Sequence, residues 1–136
     1  MELAYLYYEK TKDGTIFDED FLRVLNDMVD LIKLEQKHEN SPYIFERPDP
    51  WAPSDSLRGG PRGGDVGYTG MSWTGFRPSD DSCIYQYLIP ANAFCLVALR
   101  RLAACLDQED LANDLSAKMK KLADEIDCCL LYTSDA

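Results

Sequence analysis

Two adjacent carboxylates, Asp80 and Asp81, lie in segment 77–81, which is surrounded by aromatic and glycine residues. In such a pair a like charge disfavours ionisation of one carboxyl group, and burial against aromatic rings adds to this effect. A carboxyl group that keeps its proton near neutral pH can act as a general acid. Arg77 would then keep the second carboxylate ionised or bind a hydroxyl group. The alternative is a helix N-cap or a turn, with Ser79 and Asp80 capping a following helix, and spacing alone favours the cap over the acid/base site.

Residues around this pair are of the types that bind sugars. The C–H faces of a pyranose pack on aromatic rings, whereas its hydroxyl groups hydrogen-bond to carboxylates, guanidinium groups and amides. The candidates on this basis are Trp73, Phe76, Tyr85, Tyr87 and Asn92. The alternative is that Trp73 and Phe76 only anchor the loop as core residues.

Other motifs give little support to phosphate or metal chemistry. The glycine-rich stretch 58–64 lacks the Gly-Lys-Ser/Thr ending of a phosphate-binding loop and does not lead into a helix, so it predicts a flexible lid or a turn. The 5 cysteines have no Cys-x-x-Cys spacing, and His38 is the only histidine. We therefore expect no metal site, and reduced, mostly buried thiols that favour a cytosolic protein over a secreted one.

The charge and length of the chain limit its partners. Its 136 residues suffice for one small domain, and its net charge of −10 disfavours binding to nucleic acid or to an anionic membrane surface. No apolar run reaches the roughly 18 residues of a membrane-spanning helix. The start of the sequence has no signal-peptide pattern.

Four helices must position the candidate site. They are predicted at residues 2–12, 18–38, 90–106 and 108–128. Asp13-Gly14 would end the first, and Asp107 would cap the last. The stretch 93–99 is apolar without a break, which predicts a helix buried on all sides.

Apolar stripes at helical spacing mark the faces that these helices should bury. In the first helix the stripe is Leu3, Leu6 and Tyr7; in the second it is Phe21, Leu25, Met28 and Ile32, widened by Val24, Val29 and Leu31; in the fourth it is Leu111, Leu115, Met119, Leu122 and Ile126. The last pattern, with charges opposite, predicts an outer helix over a buried inner one.

A loop of about fifty residues separates the two helix pairs, and a loop of this length in a compact domain is usually functional or disordered. Its aromatic content argues for order, with short strands near 43–46 and 66–72. Glu35 and Glu39 share a face at the end of the second helix, which is typical of a solvated helix end. Glu46 and Arg47 would face a cleft or pair with each other at the surface.

The stretch 68–92, YTGMSWTGFRPSDDSCIYQYLIPAN, resembles the signature of glycoside hydrolase family 125. Further matches lie at residues 3–7, 16–19, 35–36, 41–43 and 45–47, so the resemblance covers nearly all of residues 2–127. Three positions depart from the family pattern: Thr74 replaces a usual serine, Gln86 a frequent glycine and Ser82 a common alanine. None of these changes removes a candidate catalytic group.

The resemblance implies an all-α fold, an (α/α)6 barrel of six inner and six outer helices with active-site loops at one end. Family members are about three times longer than this chain. Residues 1–129 would therefore form part of the catalytic domain, with two or so of the helical hairpins and a long active-site loop. Residues 130–136 break the helical pattern and are interpreted as a non-native tail.

The resemblance also implies a metal-independent exo-α-1,6-mannosidase that removes terminal mannose from oligosaccharides with inversion and without a cofactor. Its general acid would be Asp80 or Asp81, and its general base a glutamate outside this chain. The substrate-binding residues would be Arg77, Trp73, Tyr68, Met71, Tyr85, Tyr87, Asn92, Glu46 and Arg47. Without that base the isolated chain should be nearly inactive.

Two other functions remain open at this point. A non-enzymatic helical module could use the aromatic loop to bind a carbohydrate or a protein. A different inverting glycosidase on the same barrel, related to glucosidases or trehalases, would share the paired carboxylates.

Overall fold

The computed structural model describes residues 1–132. It contains four α-helices: α1 (Glu2–Thr11), α2 (Glu19–Glu35), α3 (Ile89–Gln108) and α4 (Asn113–Tyr132). These bounds confirm the four predicted helices, although α4 starts later and continues past residue 128. Residues 130–132 thus extend the helix that the predicted tail was expected to break, whereas residues 133–136 lie outside the described part of the chain.

Local chemistry accounts for the helix ends. Asp18 caps α2 by accepting a 2.8 Å hydrogen bond from the Phe21 N–H. The end of α1 differs from the prediction, because Lys12 and not Gly14 takes the left-handed position, with a φ of 53°. The predicted cap of α4 was also wrong, since Asp107 lies within α3. Its carboxylate instead accepts a 2.6 Å hydrogen bond from Ser116 Oγ and pairs with Lys120.

Cross-helix contacts define the relative directions of the helices. In α3 and α4, Arg100 contacts Asp127 while Asp107 contacts Lys120, so these two helices are antiparallel. Between α1 and α3 the partners are Glu2 with Arg101 and Tyr8 with Glu109, so both numbers increase together and the helices are parallel.

The helices α2 and α4 are also parallel to each other. Lys118 of α4 contacts Asp30 of α2, and Glu125 contacts Lys33 further along both helices. The helices α2 and α4 are therefore parallel, as α1 and α3 are. The pair α1–α2 and the pair α3–α4 are thus successive units of a repeating helical layer.

The core lies mainly between α3 and α4, around Leu99, Leu102, Leu106, Met119 and Ile126. The predicted stripe of α4 is confirmed from Leu115 onward. The predicted stripe of α1 was wrong, because Leu3 is 81% exposed while Tyr8 is buried.

Two further helices expose part of their predicted apolar surface. On α2, Leu25 and Val29 are buried but Val24, Met28 and Leu31 are exposed. On α3 the prediction of burial on all sides was wrong, since Phe94 is 62% exposed. Periodicity identified which residues share a helix face. Part of the apolar face of α2 and of α3 is exposed because nothing in residues 1–132 packs against it.

The apolar character of α3 also passes the composition test for a membrane span. An 18-residue window of this helix has a mean hydropathy of 1.5, so its length and composition would allow it to cross a membrane, although Arg100 and Arg101 interrupt the apolar run as the sequence indicated. In the fold, however, α3 contributes Leu96, Leu99 and Leu102 to the core, and Arg100 on its surface pairs with α4. Its composition is thus that of a core helix.

The long loop, residues 36–88, leaves the C-terminal end of α2 and enters the N-terminal end of α3. It therefore lies at one end of the helical layer. The strands predicted at 43–46 and 66–72 were wrong: within residues 1–132 the β-type pairing is limited to an isolated bridge between Phe76 and Ser82.

Candidate active site

The paired carboxylates lie at the tip of a hairpin-like loop. The Cys83 N–H donates to the Gly75 carbonyl at 2.8 Å, Phe76 and Ser82 form the antiparallel bridge, and the Arg77 N–H donates to the Asp81 carbonyl at 2.8 Å. These contacts close the turn from within residues 75–83. No helix follows until Ile89, so the helix-cap interpretation was wrong and the turn interpretation is confirmed.

Asp80 and Asp81 have different surroundings in this turn, although both are exposed. Asp80 has a left-handed backbone, with a φ of 70°, which aspartate tolerates better than most residues. Oδ2 of Asp81 accepts a 2.9 Å hydrogen bond from Ser79 Oγ. Among residues 1–132 no hydrogen bond reaches the Asp80 carboxylate. Of the two, Asp80 therefore has the carboxyl group that is free to meet a ligand.

Around the turn, Arg77 and Tyr85 are exposed, with Tyr85 at 85%. Both side chains are accessible to a ligand, and neither is covered by other residues among 1–132. Phe76 packs edge-on against Phe45, with ring centroids 4.9 Å apart, and so links the turn to the start of the long loop.

Glu46 and Arg47 follow Phe45 and are exposed. The Arg47 guanidinium lies 5.8 Å from the Phe45 ring centroid and 4.0 Å from Asp55 Oδ2. The structure thus brings Arg47 beside the aromatic pair that packs on the turn of Asp80 and Asp81. Its charge is partly matched by Asp55 and not by Glu46, so the predicted pairing of Glu46 with Arg47 is not seen among residues 1–132.

Trp73 belongs to a packed cluster at the base of the hairpin. Its ring stacks on His38 with a centroid separation of 3.7 Å and an interplanar angle of 3°. Its backbone N–H donates to the Glu35 carbonyl at 3.0 Å, at the end of α2. One face of the indole is therefore covered by His38, and the loop-anchoring interpretation accounts for its contacts within this chain.

His38 is 4% exposed and is held on both ring nitrogens. Nδ1 lies 2.6 Å from Glu35 Oε2, and Nε2 lies 2.8 Å from the Arg62 carbonyl. Because a carbonyl only accepts, Nε2 carries a hydrogen in this contact. The second Glu35 oxygen accepts a 2.5 Å hydrogen bond from Ser41 Oγ. The end of α2 is therefore a buried polar network at Glu35, whereas Glu39 remains exposed as predicted.

Tyr68, Met71 and Tyr87 form a second group, near α4. Tyr87 donates to the Gly67 carbonyl at 2.6 Å, Met71 is buried, and Tyr68 is 55% exposed. Tyr68 borders an open cleft of about 950 Å³, whose other residues are Thr69, Gly70, Ala117, Lys120, Lys121, Asp124, Glu125, Cys128 and Cys129. Asp80 and Asp81 do not line this cleft, so the structure does not bring the two groups together there.

Asn92 is buried in the first turn of α3, and its side chain is fully engaged. Oδ1 accepts from the Ser72 N–H at 2.8 Å, while Nδ2 donates to the carbonyls of Ser72 and Leu88 at 3.1 and 3.2 Å. Its amide thus fixes residue 72 to the start of α3, which is a positioning role and leaves little capacity for a sugar hydroxyl.

Metal ligands do not converge in this part of the molecule: within residues 1–132 no three His, Cys, Asp or Glu side chains come together. All five cysteines are free thiols. Cys83 and Cys105 are buried, and burial raises the pKa of Cys95 to about 11, which keeps this thiol protonated.

Sequence patterns did not identify His38, Ser41 or Gln86 as members of the site. His38 and Ser41 follow Glu35 at intervals of three residues. This spacing predicts that side chains are close together only within a helix, and α2 ends at Glu35. Gln86 contacts the Arg58 carbonyl and Trp73, and no local pattern predicts such long-range pairs.

Comparison with known proteins found similar sequences and a similar structure. A model of the family described as metal-independent alpha-mannosidase (GH125) matches residues 1–133. A curated relative, the meiotically up-regulated gene 157 protein of Schizosaccharomyces pombe, is 29% identical over 128 residues; the match covers 83% of this chain and 24% of that protein.

A solved structure from a family of metal-independent alpha mannosidases, from Streptococcus pneumoniae and in a non-productive complex with alpha-1,6-mannobiose, superposes with a TM-score of 0.89. It is 39% identical to this chain and matches 96% of it. The chain spans only 31% of that structure and about a quarter of the yeast relative.

The superposition confirms the predicted fold class, so the parallel helix pairs are part of an (α/α)6 barrel. The family model extends over almost the whole sequence and includes the hairpin of Asp80 and Asp81. The chain therefore belongs to the metal-independent α-mannosidase family, GH125.

Proposed function

We propose that the full-length protein containing this chain is an exo-acting mannosidase that releases terminal α-1,6-linked mannose with inversion. The observation that carries the proposal is the match of 96% of the chain, at 39% identity, to a mannosidase bound to α-1,6-mannobiose. The partner is accordingly a mannose-containing oligosaccharide. The formal net charge of −10 suits a neutral sugar better than a polyanion.

In this proposal Asp80 is the general acid that protonates the leaving glycosidic oxygen. Its support is the exposed carboxylate at the tip of a closed turn, with Asp81 held by Ser79 beside it. Arg77, in the same turn, would bind a sugar hydroxyl or keep Asp81 ionised. Tyr85 offers an exposed ring to a pyranose face, and Tyr68 offers a second at the cleft near α4.

Inversion requires a second carboxylate that activates water on the opposite face of the sugar, at roughly 6.5–9.5 Å from the acid. We assign this base to a glutamate in the remainder of the full-length protein. Trp73 and Asn92 would act by holding the loop, because both side chains are engaged within it.

The test is hydrolysis of α-1,6-mannobiose by the full-length protein, followed by proton NMR of the first sugar released. Inversion predicts that β-mannose appears before mutarotation, whereas α-mannose first would exclude the inverting mechanism. Isomaltose, the corresponding glucose disaccharide, is the matched control: preferential cleavage of it would favour a glucosidase.

Residues 1–132 expressed alone form the second arm of this test. We expect binding of mannobiose to be weak and turnover to be absent, because the base is missing. Robust turnover by the isolated chain would place both carboxylates within it and contradict the assignment. Sugar binding without any turnover by the full-length protein would instead identify a binding module.

A further inference from the structure

Gln86 has an unfavourable backbone and an extensively bonded side chain. Its φ is 60°, in the left-handed region that favours glycine, yet the residue is only 4% exposed. A buried residue retains such a conformation when its surroundings compensate for it. The contacts of its side chain show what compensates here.

The amide of Gln86 connects three separate parts of the long loop. Oε1 accepts from Trp73 Nε1 at 2.9 Å and from the Gly64 N–H at 3.2 Å, while Nε2 donates to the Arg58 carbonyl at 2.8 Å. The two partners at 58 and 64 are the ends of the glycine-rich stretch. One side chain therefore holds both ends of that stretch against Trp73.

The amide of Gln86 occupies space that is open only because residue 63 in the glycine-rich stretch has no side chain. Gly63 has a φ of 79°, and a Cβ built on it would lie 2.8 Å from Gln86 Oε1 and 3.1 Å from Trp73 Cζ2. A larger residue at 63 would therefore displace the amide or the indole. Of the two predictions for this stretch, the turn is confirmed and the flexible lid is not, since the stretch contains hydrogen-bonded turns and is held by hydrogen bonds at both ends.

The same residue also closes the base of the hairpin that carries the acid. The Thr74 N–H donates to the Gln86 carbonyl at 2.8 Å, just outside the Gly75–Cys83 contact. The backbone of Gln86 thus pairs the two arms of the hairpin, while its side chain fixes them to Trp73, which is stacked on His38.

We propose that Gln86, which stands where the resembling family frequently has glycine, is a positioning residue particular to this protein for the mannosidase reaction. Its amide locks the glycine-rich stretch and the Trp73 indole at the base of the hairpin, and so sets the direction in which Asp80 is presented to the glycosidic oxygen. The proposal rests on the proposed function and assigns Gln86 no contact with the sugar.

The test compares three substitutions in the full-length protein. Gln86→Ala removes the amide at the same backbone conformation. Gln86→Gly removes it and also relieves the strain of a positive φ, so it remains informative if the alanine variant folds poorly. Gln86→Glu keeps an oxygen for Trp73 Nε1 and Gly64 N–H but loses the donor to Arg58.

Two measurements separate positioning from general stability: hydrogen exchange of the Gly64 amide, and kcat and KM for α-1,6-mannobiose. In Gln86→Ala and Gln86→Gly, Gly64 should exchange about tenfold faster, as expected for loss of a buried hydrogen bond. The same variants should lose about tenfold in kcat with little change in KM, since the acid acts mainly in the transition state.

Gln86→Glu should retain Gly64 protection but lose part of kcat, because its second oxygen cannot donate to the Arg58 carbonyl and that end of the stretch is released. The matched control is Gln108→Ala, at the exposed end of α3, which should change neither quantity. Unchanged Gly64 exchange in the alanine and glycine variants would overturn the lock, and faster exchange with unchanged kcat would overturn the positioning role. If the unsubstituted full-length protein cleaves no mannobiose, the proposed function and the positioning role both fail, and Gly64 exchange still decides whether the lock exists.

Discussion

Ser79 Oγ donates a 2.9 Å hydrogen bond to Oδ2 of Asp81, the carboxylate next to the proposed acid. This contact distinguishes the two aspartates, because it occupies one oxygen of Asp81, whereas the Asp80 carboxylate has no hydrogen-bond partner among residues 1–132.

We expect Asp80→Asn in the full-length protein to lower kcat by about 10²–10⁴-fold, which is the usual contribution of a general acid. Asp81→Asn should cost less, because an amide oxygen still accepts from Ser79. Steady-state kinetics on mannobiose measures both, with Ser79→Ala as the control for the hydrogen bond alone. A larger loss at Asp81 would exchange the two roles, and no loss at either would move the acid elsewhere.

Gly70, in the long loop, lies close to the backbone of α4. Its φ is 90°, and a Cβ there would lie 2.6 Å from the Glu125 carbonyl oxygen. Gly70→Ala should therefore destabilise the full-length protein by about 2 kcal/mol or more, from backbone strain and steric overlap together. Urea unfolding measures this. Gly67→Ala is the matched control, since its Cβ would meet nothing within 4 Å and its stability should be unchanged.

Ser82 places a buried hydroxyl behind the acid-bearing turn. Its Oγ has no hydrogen-bond partner among residues 1–132, and the residue is 3% exposed. Ser82→Ala should raise the free energy of unfolding by about 1 kcal/mol, because it removes an unsatisfied polar group. The midpoint of chemical unfolding of the full-length protein reports the change. A loss of stability would show that the hydroxyl has a partner outside residues 1–132.

Tyr8 connects α1 to the end of α3 through its hydroxyl group, which donates to Glu109. This hydrogen bond, burial and the Glu109 charge raise the pKa of Tyr8 to about 12. Because the folded pKa is above the unfolded value of 10.0, the stabilisation is complete below pH 10 and is lost as pH rises through about 12.

Tyr8→Phe keeps the ring but removes the ionisable group, so its stability should lack this alkaline decline. Thermal melting of both proteins between pH 8 and pH 12 tests the expectation. Parallel curves for the two proteins over the whole range would contradict it.

Local sequence patterns correctly predicted the buried face of a helix where its packing partner is the neighbouring helix in the sequence. The stripe of Leu115, Met119 and Leu122 packs on the adjacent α3, and helical period alone was enough to place it. The same method was wrong for Leu3 on α1, because periodicity does not reveal whether a partner surface is present within the chain.

In the candidate site, too, local structure was predictable from the sequence and long-range contacts were not. The turn at Asp80 uses residues with known turn preferences, and turn formation was among the expectations. The network of Glu35, His38, Trp73 and Gln86 joins residues up to 38 positions apart in the sequence, as in the contact between Trp73 and Glu35. Such contacts depend on the path of the whole loop, which no local preference specifies.

The turn that presents Asp80 is closed by hydrogen bonds within residues 75–83, so its geometry does not require the opposite side of the barrel. We therefore expect a cut between helical hairpins to separate the proposed acid from its proposed base while the turn of Asp80 keeps its own hydrogen bonds.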